Sequence, residues 1–156
     1  MKNLLKLIGL IFVCFLPGII GGFFTANNLY PWFSLLIKPS FSPPSWIFSP
    51  VWTVLYILMG ISLYLISKSY NSKDKIRGIV FFSIQLFLNG LWSIVFFGLH
   101  QILLAFVVII ALLAFIILSI VQFYKISKLA AYILIPYLLW VSFASVLNFS
   151  LYLLNR

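Results

Sequence analysis

The chain has 156 residues, of which 65% are hydrophobic, 19% aromatic and only 7% charged, a balance foreign to soluble globular domains. Lipid must be its solvent. The formal charge of +9 does not point to nucleic acid, because the ten basic residues divide by membrane side: Lys2, Lys6, Lys68, Lys73, Lys75, Arg77, Lys125 and Lys128 flank the side of the amino terminus, against Lys38 and Arg156 on the other.

Runs free of Lys, Arg, Asp and Glu cover 7–37, 39–67, 78–124 and 129–155, and a spanning helix needs about 20 such residues. The third run holds two spans that part at Gly98-Leu99-His100-Gln101. The expectation is one domain, 1–156, an all-α bundle of five transmembrane helices at 5–26, 46–68, 76–98, 101–124 and 129–153. Eight basic residues against two places the amino terminus in the cytoplasm of a bacterial plasma membrane, with anionic headgroups as sufficient partners for the basic loops.

The first helix follows Lys2 and Lys6 and resembles a leader, but its apolar run exceeds the usual h-region of about 7–15 residues, and Phe23-Phe24 stand where small cleavage-site residues would be needed. It is read as a span. Cys14 is the single cysteine, so no intramolecular disulfide can form and its role is packing. Gly18 and Gly22, beside a kink expected at Pro17, would let a neighbouring backbone approach closely, within the monomer or across a homodimer.

The connection from Asn27 to Ser45 carries four prolines, at 31, 39, 43 and 44, with Trp32, Phe33 and Phe41. Proline sets φ and disfavours helix at the residue before it, so 38–44 should be extended and stiff. Ordered loops of this length are commonly functional, although an external hairpin resting its aromatics at headgroup depth would read the same way. The remaining loops are short, which makes sequential helices antiparallel neighbours. No repeat or mirrored pair of broken helices suggests alternating-access transport.

At about 1.5 Å per residue, Trp52 lies roughly 9 Å, Trp92 about 10 Å, Asn89 about 15 Å and Trp140 about 18 Å below the outer ends of their helices. Trp32 and Trp46 suit an interfacial belt. The deeper tryptophans need a partner for the indole N–H or a place where lipid is excluded. Gln85, Asn89, Trp92 and Phe96 follow one helical stripe; Trp140, Ala144 and Asn148 form a second, and Trp52 with Tyr56 begins a third. The amides serve equally as interhelical glue or as fixtures of a mostly apolar ligand chamber.

Conventional catalysis has no constellation to work with. Asp74 is the only carboxylate side chain and sits among basic residues in a loop, without an acidic partner. His100 is the sole histidine, placed at the external turn as a solvated residue, and with Cys14 it cannot build a metal site or a hydrolytic triad.

Trp32-Phe33, the run from Lys38-Pro39-Ser40-Phe41 to Pro43-Pro44-Ser45-Trp46, and Pro50-Val51-Trp52-Thr53-Val54-Leu55-Tyr56 together resemble the signature of the TspO/MBR family, the tryptophan-rich sensory proteins related to the mitochondrial translocator protein. Leu88-Asn89, Trp92, Phe96-Phe97-Gly98, Pro136-Tyr137-Leu138, Trp140, Phe143-Ala144 and Leu147-Asn148 extend it over nearly the whole chain. The resemblance implies a five-helix, often dimeric bundle that binds protoporphyrin-type tetrapyrroles and benzodiazepine-site ligands under the first loop. Residue matching assigns to that pocket Trp32, Phe33, Pro39, Pro43, Trp46, Trp52, Tyr56, Asn89, Trp92, Trp140, Ala144 and Asn148. Val108 stands where the family often has a carboxylate and Phe33 where tyrosine is frequent, so two polar contacts are lost. Leu147, Tyr152 and Arg156 loosely fit the sterol pattern of the mammalian branch.

The resemblance also implies light-dependent oxidative breakdown of porphyrin, with Trp32 and Trp140 as photochemical candidates. That chemistry would come from the porphyrin and oxygen, and no further cofactor is called for. Three functions follow from the sequence: a tetrapyrrole binder acting as sensor or carrier, a photo-oxidative degrader using the same pocket, and a ligand-free assembly subunit.

Overall fold

In the computed structural model, which describes residues 1–70 and 72–156, the apolar runs fold as five stretches long and apolar enough to cross a membrane: Lys2–Phe33, Ser45–Lys68, Lys73–Gly98, Ile102–Ile126 and Lys128–Leu154. Among the described residues there is no strand. The chain is an all-α, multi-pass membrane protein. With no water at membrane depth, each backbone N–H and C=O must be satisfied within its own helix.

The first span departs most from its expected bounds. Helix α1 covers Lys2–Asn28 and runs on through Pro17, then widens into a π-helical turn at Leu29–Phe33. Tyr30 leaves helical geometry, at φ −125° and ψ 133°, and kinks the chain, as expected of a residue pushed extended by the following proline. Half of the connection read as a loop is thus helical, on either side of the kink at Tyr30. The stiff segment begins after it: residues 37–44 contain only a turn in which Ser42 N–H donates to the Pro39 carbonyl at 3.0 Å. A 3-10 turn, Ser45–Ile47, then leads into α2, Phe48–Lys68.

Helix α3 covers Lys73–Ser93 and is capped by Ser72, whose hydroxyl accepts from Lys75 N–H at 3.1 Å, satisfying one orphan donor of the first turn. It widens into a π turn at Ile94–Gly98. His100 adopts φ 57°, the left-handed conformation that reverses the chain. Helix α4 is Ile102–Ile126. The fifth span, expected as one helix, is two: α5, Lys128–Ile133, and α6, Ile135–Leu154, meet at Leu134. Pro136 in the first turn of α6 explains the break, because it lacks an N–H and its ring would crowd the carbonyl four residues back.

Around the bundle the order is α1, α2, the fifth span, α4, α3, and back to α1. Sequential helices α2 and α3 are therefore not backbone neighbours, contrary to the expectation from their short connection. Helix α1 lies between them because glycine removes the side chains that would hold it off. A Cβ on Gly60 of α2 would sit 2.6 Å from Ile11 Cα, and one on Gly21 of α1 would lie 2.7 Å from Ser93 Cβ of α3. Gly90 of α3 faces Pro17 in the same contact. The pair singled out in the sequence divides: Gly18 packs against the Tyr56 ring, whereas a Cβ on Gly22 would meet nothing within 4 Å.

Two apolar clusters fill the bundle. Met59, Phe82, Ile109, Leu112, Tyr137 and Val141 belong to the larger one. Phe33, Val95, Phe96, Phe97, Ala105, Leu147 and Leu151 form the second, under the first loop. The loop itself is tied to the carboxyl terminus, since Asn155 accepts from Ile37 N–H and donates to the Ile37 carbonyl, both at 2.9 Å. Trp32 stacks on His100 with ring centroids 4.2 Å apart, and His100 Nε2 lies 2.9 Å from Asn28 Oδ1. His100, itself exposed, is therefore a strut of the roof as well as a turn residue. At the opposite end, Lys75 Nζ donates to the Ser67 and Ser69 carbonyls, satisfying the last acceptors of α2.

Candidate functional site

Between α1, α2, α3 and α6, on the side of the first loop, the helices part around a chamber of about 510 Å³. It falls within the range of about 300–1,000 Å³ usual for small-molecule sites. Because α1 reaches both α2 and α3 on small residues, the large side chains of its neighbours remain free to project inward above those contacts. Trp52 and Tyr56 come from α2, Asn89, Trp92 and Phe96 from α3 and its π turn, and Ala144 and Asn148 from α6. Phe33 closes the chamber from beneath the roof.

Aromatic faces are stacked in series along these walls. Trp52 lies over Tyr56 with centroids 5.5 Å apart and an interplanar angle of 25°, and Trp92 over Phe96 at 5.3 Å and 26°. The flat stacks hold the indole planes in fixed orientation, at about 0.5–1.5 kcal/mol for each pair beyond area burial.

The polar residues at the chamber bind one another. Tyr56 O–H donates to Asn89 Oδ1 at 2.8 Å, Asn89 Nδ2 donates to Tyr137 Oη at 3.2 Å, and Tyr137 O–H donates to Gln85 Oε1 at 2.7 Å. This relay joins α2, α3 and α6 across the interior. Trp92 Nε1 donates to Asn148 Oδ1 and Asn148 Nδ2 to the Ile102 carbonyl, both at 2.9 Å. The deep indole of Trp92 thus has the partner its depth requires. Of the two readings of the amides, interhelical glue is what these bonds describe. Among the described residues, Gln85 Nε2 remains buried without a partner.

Of the twelve residues assigned to the pocket from the sequence, seven line the chamber: Phe33, Trp52, Tyr56, Asn89, Trp92, Ala144 and Asn148. Trp32, Pro39, Pro43, Trp46 and Trp140 do not. Trp32 is in the roof with its ring on His100, and Trp46 is 73% exposed, as an interfacial residue should be. Trp140 lines a separate lipid-facing groove with Pro50, Val54, Leu58, Pro136 and Leu139. Phe48 separates that groove from the chamber, lining the chamber while meeting the Trp140 ring at 5.8 Å and 69°. The Trp140 Nε1 is buried with no hydrogen-bond partner among the described residues.

Sequence reasoning missed the α1 wall. Phe15, Gly18, Ile19, Gly22, Thr25 and Ala26 all face the chamber, a stripe at helical spacing that carries no tryptophan or amide to single it out. Its only sequence signal was Gly18 and Gly22, which were read for packing alone.

Comparison with known proteins agrees with this architecture. Residues 10–153 match the profile of the TspO/MBR family. A "Tryptophan-rich protein TspO" of Archaeoglobus fulgidus is 48% identical over 153 residues, covering 98% of this chain and 99% of that protein. The corresponding protein of Chlorobaculum tepidum is 43% identical over 155 residues, covering 99% and 98%. The human "Translocator protein" is 34% identical over 132 residues, 83% of this chain and 78% of its own length. With five spans, a shared length and a family profile covering nearly all of it, the chain belongs to the TspO/MBR family.

Proposed function

We propose that the chain binds protoporphyrin-type tetrapyrroles, and hydrophobic ligands of the benzodiazepine-site class, in the chamber between α1, α2, α3 and α6, acting as a sensor or carrier. The observation that carries this reading is an apolar cavity of about 510 Å³ faced by the indoles of Trp52 and Trp92. A flat macrocycle gains dispersion and stacking against such faces. Since the nearby amides are engaged by the Tyr56 phenol and the Trp92 indole, affinity would come from shape and apolar area, with few directed polar contacts. The ligand is the only small molecule the reading requires. Membrane lipid is the surrounding partner, and the basic loops suit the cytoplasmic leaflet of a bacterial plasma membrane. A homodimer would have to use other lipid-facing surface, because Gly18, Ala144 and Ser145 are engaged inside the monomer.

The test is a titration of the chain in lipid nanodiscs with protoporphyrin, followed by quenching of tryptophan emission. Saturable quenching is expected, weakened roughly tenfold or more in Trp52→Ala, as loss of a stacked aromatic wall of about 1–3 kcal/mol implies. Quenching that never saturates, or equal affinity in Trp52→Ala and Trp92→Ala, would remove the chamber from the reading. Photo-oxidation through Trp32 and Trp140 is the weaker reading, because neither residue lines the chamber.

A further inference from the structure

The chamber is closed at the top and at the bottom but not at the side. Above it, Phe33 is buried, the Trp32 and His100 rings are stacked, and Asn155 holds Ile37 by two hydrogen bonds. Below it, Gly18 lies on Tyr56 and Tyr56 is bonded to Asn89, which draws α1, α2 and α3 together. Between these levels, three residues of α1, Ile19, Gly22 and Ala26, and three of α2 and the turn before it, Ser45, Ser49 and Thr53, line the chamber. All six are exposed. A residue can do both only where the wall itself is missing. The missing wall is on the outer side of the bundle, where α1 and α2 are adjacent.

We infer that this seam is a lateral portal through which hydrophobic ligands pass between the chamber and the membrane leaflet on the side of the first loop, and that Gly22 sets its width. The inference rests on the binding reading above. Gly22 is the central residue of the α1 edge, and a Cβ there would meet nothing within 4 Å. Its neighbours Gly18 and Gly21 are in tight contact, so the absence of a side chain at Gly22 serves no packing role. The facing α2 edge carries hydroxyls, with Thr53 Oγ1 donating to the Ser49 carbonyl at 2.9 Å. Ser45 is at the loop end of its span and Thr53 two turns deeper. A ligand with an apolar body and polar substituents would enter body first, its polar groups remaining beside this edge nearest the headgroups. Ligands of this kind concentrate in the bilayer, so passage through the side spares them a route through water and the roof.

The experiment is stopped-flow quenching by protoporphyrin of the full chain in nanodiscs, over the series Gly22→Ala, Gly22→Leu and Gly22→Phe, with Ala26→Leu as a second plug one turn away should a Gly22 variant fold poorly. The expected result is that association and dissociation both slow as the side chain grows, association by roughly tenfold at Phe. Asn155→Ala, which frees the roof, should leave both rates as in the parent. Rates unchanged across the series with normal affinity would overturn the portal and leave the binding reading intact. Weakened affinity carried by faster dissociation would also overturn it, placing the new side chain in the chamber and not in the passage. Acceleration by Asn155→Ala, with no effect of the Gly22 series, would assign passage to the roof. Absence of saturable quenching in the parent would sink the binding reading and the portal with it.

Discussion

Asn148 illustrates how polar residues are used in a chain with lipid as its solvent. Its carboxamide joins the Trp92 indole of α3 to the Ile102 carbonyl of α4 from its own place on α6, so one side chain satisfies an indole N–H that would otherwise be orphaned in an apolar interior and ties α6 to the start of α4. Asn148→Ala should therefore lower unfolding free energy in detergent by about 1 kcal/mol, within the span of interhelical bonds measured in membranes. Ser142→Ala is the matched control, because its hydroxyl bonds only the Leu138 carbonyl of its own helix. Equal stability of the two variants would mean that the interhelical bonds contribute nothing. Asn89 has the same character, its amide bonded to the phenols of Tyr56 and Tyr137. A titratable switch is not needed to explain either residue.

The elements are positioned by backbone approach more than by large side chains. Helix α1 reaches α2 at Gly60 and α3 at Gly21 and Gly90, and this wedge separates two helices joined by a short loop. Gly60→Ala would drive a methyl group into the Ile11 backbone, which cannot retreat without moving α1. A loss of about 1–3 kcal/mol is expected, the usual cost of overpacking, read as a fall in thermal unfolding midpoint in detergent. Gly9→Ala on α1, where a Cβ would meet nothing within 4 Å, should be neutral or slightly stabilising through helix propensity. Comparable losses in both variants would mean that the close contact at Gly60 does not hold the bundle. The same wedge creates the chamber, for α1 is held close at Gly18 and Gly21 while its exposed edge at Gly22 and Ala26 leaves the seam with α2 open.

At the scale of the whole molecule, charge and aromatic residues divide the two ends. The ends of α2 and α4 and the starts of α1, α3 and α5 carry Lys2, Lys6, Lys68, Lys73, Lys75, Arg77, Lys125 and Lys128, with Asp74 4.0 Å from Lys125. The other end has Lys38 and Arg156 beside Trp32, Trp46 and the roof. In bacterial cells the basic end should face the cytoplasm. With Cys14 replaced by serine, an impermeant maleimide added to intact cells should label Ser40→Cys and spare Lys73→Cys until the membrane is opened. The reverse pattern would refute the orientation.

Composition and the spacing of charge determined that the chain spans a membrane five times, where four of the five spans lie to within a few residues, and which end is basic, because burial of apolar helices in lipid depends on local sequence alone. Indoles and amides at helical spacing likewise marked most of the chamber walls on α2, α3 and α6. What only the tertiary structure decided was how the helices are arranged around one another. The position of α1 between α2 and α3 depends on glycines from three helices meeting in space, and the break at Leu134 on whether packing tolerates Pro136 as a kink or as a new helix start. Trp140 and Trp52 look alike in sequence, both deep and both on aromatic stripes. A rotation of the bundle seats one in the chamber and the other in a lipid-facing groove, a distinction that helical period cannot supply because it fixes which residues share a face, not what that face meets.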